Sequence, residues 1–77
     1  MSSREILVYV KAQPFRPFRI LMNGGTFDVR HPAMIRVGWD FLILFTFVRD
    51  NPDVVDQWQT VSLFLVESVL YLDAKVA

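Results

Sequence analysis

The stretch Phe18-Arg19-Ile20-Leu21-Met22-Asn23-Gly24-Gly25-Thr26-Phe27-Asp28-Val29-Arg30 carries the clearest pattern in the chain. Phe18, Ile20 and Met22 alternate with Arg19, Leu21 and Asn23, the two-residue period of a strand that turns one face to a core. Asn23-Gly24-Gly25 supplies residues that accept positive φ, and Thr26 to Arg30 alternates again with Phe27 and Val29 inward. The spacing predicts a β-hairpin, and with it an antiparallel, mostly β fold.

Upstream, Ser2 and Glu5 have the S-x-x-E spacing of a capping box, which satisfies free backbone N–H groups at a helix start. A helix is therefore expected from Ser3 to about Ala12, ended by Pro14, although Ile6-Leu7-Val8-Tyr9-Val10 has the composition of a strand. Pro14-Phe15-Arg16-Pro17-Phe18-Arg19 matches the P-x-x-P-x-R pattern that SH3 domains bind in an exposed polyproline helix. Phe15 and Phe18 read instead as core residues at a bend leading into the strand.

Downstream, His31-Pro32 stops the second strand, because proline lacks the N–H that a ladder needs. A short turn through Ala33 to Val37 is expected next, then a strand Phe41-Leu42-Ile43-Leu44-Phe45-Thr46-Phe47-Val48 that is apolar on both faces. A small antiparallel barrel leaves one face of each strand in water, so this run calls for cover by the helix or by another subunit. Arg49-Asp50-Asn51-Pro52-Asp53 is turn chemistry. Gln57, Gln59 and Val61 then alternate with Trp58, Thr60 and Ser62, and a last strand is expected from Ser68 to Leu72.

Length and composition bound the rest. A chain of 77 residues allows one domain, residues 1–77, and a domain of this size removes only about 60% of its unfolded surface from water. Its 53% hydrophobic content, with seven Phe, two Trp and two Tyr, excludes disorder. Cysteine is absent, so neither disulfides nor thiolate chemistry are available. Neither a signal-peptide core nor an apolar run of the roughly 20 residues that cross a bilayer is present, so a cytoplasmic protein without membrane contact is expected. Residues 1–38 hold six basic and two acidic side chains and residues 39–77 two basic and six acidic; the two halves are expected to neutralise each other on one surface, the alternative being head-to-tail contact between identical subunits.

Catalytic signals are few. His31 is the one histidine, and Asp28, three residues back along a strand, falls on the opposite face, so no triad is indicated. One His with scattered carboxylates gives no metal pattern. Asp50, Asp53 and Asp56 are spaced by three, where a calcium loop spaces its ligands by two around a glycine. No cofactor, metal or enzyme activity is expected.

The residues Pro14-Phe15-x-Pro17-Phe18-x-Ile20, Gly25 and Val29-x-His31-Pro32 resemble a family of small uncharacterised bacterial proteins with a P-F-x-P-F-x-I, glycine, V-x-H-P pattern. More distantly, a helix followed by Ile20-Leu21-Met22-Asn23-Gly24, Val61-Ser62-Leu63 and Val69-Leu70-Tyr71-Leu72 is similar in order to Sm-like proteins. That resemblance implies a five-stranded SH3-like antiparallel barrel, or a strongly bent sheet, with ring assembly and RNA binding. Val29 stands where the Sm pattern has its bending glycine, and the later segment lacks the basic RNA-contacting residues. The expected function is a non-enzymatic, homo-oligomeric interaction module whose contacts come from Ile6, Tyr9, Phe41, Ile43, Phe45 and Phe47. The alternative is a weak single-stranded nucleic-acid binder using Arg30, His31 and Arg36.

Overall fold

The hairpin and the helix form as their residues dictate. In the computed structural model, which describes residues 1–51 and 53–73, α1 spans Ser3–Val10. Ser2 Oγ accepts from the Glu5 N–H at 3.3 Å while the Ser2 N–H donates to Glu5 Oε1 at 3.2 Å, which completes the capping box. The helix stops two residues short of the expected Ala12, because Lys11 caps it at φ −96, ψ 6. Strands β1, Phe18–Met22, and β2, Gly25–Val29, pair antiparallel across a turn in which Gly24 takes φ 92, a backbone conformation that residues with a side chain rarely adopt.

Beyond β2 the chain departs from expectation. His31 Nδ1 accepts from the Ala33 N–H at 3.1 Å and so caps a single 3₁₀ turn, Pro32–Met34. The segment expected as turn to Val37 is instead strand β3, Ile35–Val37, too short to show a period in the sequence but paired to β4, Phe41–Phe47, through Ile35↔Leu44 and Val37↔Leu42. After the turn at Val48–Asp50, where Arg49 holds the left-handed φ 48, β5 runs Val55–Ser62. Pro52, part of the expected loop, lies outside the described residues. A second 3₁₀ turn, Leu63–Leu65, in which Ser62 Oγ accepts from the Phe64 N–H, leads into β6, Val66–Tyr71.

The described strands therefore number six, not five, and form two antiparallel sheets, β2-β1-β6 and β3-β4-β5, that do not close into a barrel. The physical cause is the His31-Pro32 pair. Where a barrel would carry one bent strand from the first sheet into the second, Pro32 has no N–H to give and the cap on His31 commits the backbone to a turn.

The core lies between the facing sides of the sheets. Phe18, Ile20 and Val29 from the first sheet and Ile35, Leu42 and Leu44 from the second are at most 1% exposed, and Ile6 of α1 is fully enclosed with them. Val61, Leu63 and Val66 complete the layer. The P-x-x-P-x-R segment is folded into this arrangement: Phe15 packs on Phe18 with ring centroids 5.9 Å apart.

This layer is thin, so each member matters. Leu44→Ala is expected to cost about 2–5 kcal/mol, a large share of the roughly 5–15 kcal/mol that holds a domain folded. Urea denaturation checks it, and a loss below about 1 kcal/mol would show that Leu44 is not a core side chain. Ser2→Ala is expected to cost about 1 kcal/mol through the lost cap, read in the same titration.

Candidate functional site

Because side chains alternate along a strand, turning Leu42 and Leu44 into the core forces Phe41, Ile43, Phe45 and Phe47 to the opposite side of β4. The register places Ser62, Thr60 and Trp58 of β5 opposite Phe41, Ile43 and Phe45. A bulge between Thr46 and Phe47 then sets Val55 opposite Phe47. The four β4 side chains are partly buried, whereas Trp58 is 66% and Val55 46% exposed. On the other flank Arg36 of β3 lies opposite Ile43. Its Nη1 donates to the carbonyls of Ile35 at 2.9 Å and Pro32 at 3.5 Å, and it borders a groove of about 180 Å³ with Ala33, Phe45, Phe47 and Val55.

The expected contact residues thus divide. Phe41, Ile43, Phe45 and Phe47 share the outer face of β3-β4-β5. Ile6 and Tyr9 do not: Ile6 is enclosed in the protomer's own core, and Tyr9 packs on Phe18 and Tyr71 at centroid distances of 5.4 and 5.0 Å. The reason is that α1 supplies Ile6, Tyr9 and Val10 to the inner layer, so it leaves the outer face of β4 uncovered.

Arg30, His31 and Arg36 surround the turn between β2 and β3, and each has a local partner. Asp28 accepts two hydrogen bonds from Arg19, its cross-strand neighbour, at 2.7 and 3.1 Å, and a longer one from Arg30 at 3.4 Å. The hydrogen bonds from Arg19 hold the Asp28 carboxyl below the usual carboxylate range, with Arg30 adding to the same effect, and they raise the Arg19 guanidinium. His31 is occupied as the cap already described. At the same end of the sheet but along its β6 edge, Arg16 grips Asp73 through Nη2 at 2.9 Å and lies 3.8 Å above the Tyr71 ring, so that one basic residue of the first half meets an acidic one of the second. Among the described residues no three His, Asp or Glu side chains gather as metal ligands.

Sequence reasoning missed three side chains. Trp58 continues the outer face, and its signal was the alternation with Gln57 and Gln59. Trp39 and Phe64 are 88% and 89% exposed at the ends of β3-β4 and β5, beside a cleft of about 440 Å³ that also takes in Met1, Arg4 and Leu63. Both sit in short turns, where periodicity gives no orientation.

The chain matches no protein-family model, no curated protein and no solved structure. Among its described residues no helix is long and apolar enough to cross a membrane.

The Arg19–Asp28 pair makes a pH prediction. A carboxyl whose folded pKa lies below its unfolded value adds stability above the unfolded pKa and loses it as pH falls through the folded one. The parent is therefore expected to lose more thermal stability between pH 7 and pH 3 than Asp28→Asn does, measured by circular dichroism melts at both values. Equal losses would show that the pair contributes nothing.

Proposed function

We propose that the protein is a non-enzymatic interaction module that self-associates through the sheet β3-β4-β5. The observation that carries this reading is the row Phe41, Ile43, Phe45 and Phe47, continued by Trp58 and Val55, on a face that α1 leaves uncovered. The four β4 side chains are already partly buried, so covering them recovers only part of the roughly 1.5–3 kcal/mol of a fully exposed apolar side chain, and the exposed Trp58 and Val55 add more, which together favours a partner surface. The partner is a second copy, because a domain this small gains most from extending its own thin core.

The Sm-like resemblance supports self-association. If β2 and β3 are taken as two halves of one interrupted strand, the order β6-β1-β2 followed by β3-β4-β5, with a helix in front and a 3₁₀ turn before the last strand, is the order of an Sm-like barrel. Nucleic-acid binding has no comparable support, since Arg30, His31 and Arg36 all have intramolecular partners.

Phe45→Asp places a charge in the middle of the face. Self-association makes the parent's thermal midpoint rise with protein concentration, and the variant is expected to melt at one temperature throughout. A parent midpoint independent of concentration, or a variant that keeps the parent's concentration dependence, would remove the support for this interface.

A further inference from the structure

Strand β5 has one hydrogen-bonded neighbour, β4, and its other edge is open among the described residues. Six consecutive residues, Val55 to Thr60, are exposed, so both of its faces as well as its edge meet solvent. Edge strands in monomeric proteins are blunted by lysine, proline or inward-pointing charge. Val55-Asp56-Gln57-Trp58-Gln59-Thr60-Val61-Ser62 has neither lysine nor proline and carries the single charge of Asp56. The bulge at Thr46/Phe47 leaves Asp56 as the extra residue on β5, and from Gln57 to Ser62 the ladder with β4 is regular.

The same strand has a symmetry that nothing inside the protomer uses. Val55-Asp56-Gln57-Trp58-Gln59-Thr60-Val61 reads alike in both directions except where Asp56 mirrors Thr60. Two identical strands paired antiparallel about a two-fold axis through Trp58 set each residue opposite its mirror image, on the same face of the sheet from Gln57 to Gln59, whereas the bulge turns Val55 to the outer face and Val61 stays in the core. Trp58 then meets Trp58 on the outer face, Gln57 meets Gln59 on the inner face, and Asp56 meets Thr60 with no like charge opposite. The two Asp56 carboxylates stand about 13 Å apart, four residues at 3.3 Å each, beyond the screening length in physiological salt. Of the other edge strands among the described residues, β6 carries Glu67, and pairing it with β5 would bring two acidic strands together.

Area points the same way. The outer face of β3-β4-β5 spans three strands, the longest of eight residues, at most about 380 Å², well under the roughly 800 Å² per partner of a stable interface. Edge pairing joins two such faces into one apolar surface of about twice that area, which approaches the required size.

We infer that β5 pairs with β5 of a second copy about a two-fold axis at Trp58, giving a continuous six-stranded sheet, β3-β4-β5-β5-β4-β3. This inference rests on the self-association proposed above and specifies its geometry: edges pair first, and the doubled outer face is what a further pair of protomers covers.

The absence of cysteine makes a crosslinking test clean. Trp58, being exposed, tolerates replacement without loss of the core. Trp58→Cys in the full chain, under mild oxidation, is expected to form a disulfide-linked dimer. Gln57→Cys and Gln59→Cys are expected to crosslink with each other, when mixed, about tenfold more than either does alone, because only the mirror positions bring Cβ atoms within disulfide reach. Light scattering on the reduced variants accompanies each reaction. Absence of both crosslinks in variants that remain multimeric would overturn the two-fold pairing and leave self-association standing. A disulfide between Trp58→Cys and Leu70→Cys of β6 would replace the two-fold with head-to-tail assembly. Monomers throughout, with the parent also monomeric, would overturn both.

Discussion

The fold depends on one layer of contact, in which Phe18, Ile20 and Val29 of the first sheet meet Ile35, Leu42 and Leu44 of the second, with Ile6 of the helix against them. A strand has two faces and no freedom to choose them independently. A slip of one residue in β4 would bring Phe41, Ile43, Phe45 and Phe47 inward and expose Leu42 and Leu44, so the pairing Leu42↔Val61 and Leu44↔Gln59 fixes at once what is inside and what is presented outside. The apolar outer face is therefore a consequence of the core register, and its residues are free to serve contacts because packing has already been satisfied by their neighbours.

The turn at His31-Pro32 governs the shape around that layer. By capping a 3₁₀ turn it ends the first sheet and starts the second, so that the two sheets face each other without a shared strand between them. That separation leaves β5 at the margin with its edge and both faces open from Val55 to Thr60. Charge is spent elsewhere. Arg19–Asp28 and Arg16–Asp73 brace one end of the first sheet, and Arg36 is bound to backbone carbonyls, so electrostatics stabilises local geometry while the outer side of β4 is left apolar.

Much of this was legible in the residues, and the parts that were not have definite causes. The helix start followed from Ser2 and Glu5, and the hairpin from strict alternation around Asn23-Gly24. The split between Leu42/Leu44 and Phe41/Phe45 could not be read, because an all-apolar run has no period to mark which face is inner. Strand β3 was too short to alternate visibly, and the barrel expected by resemblance failed to close at a proline whose position was plain but whose effect on topology was not. The placement of Ile6 and Tyr9 inside the protomer depended on where the helix docks, which no local pattern encodes. Trp58 stood in an alternating strand whose outer face the residues did not mark, and its place emerged only with the exposed edge beside it.

The central claim is that a chain with so thin a core completes itself with its own copies. Light scattering of the unmodified protein across a concentration series measures this directly. The account predicts a mass that is an even multiple of the 9.0 kDa protomer. A mass of 9.0 kDa at every concentration would contradict it, and would mean that the outer face of β4 stands in water unassisted.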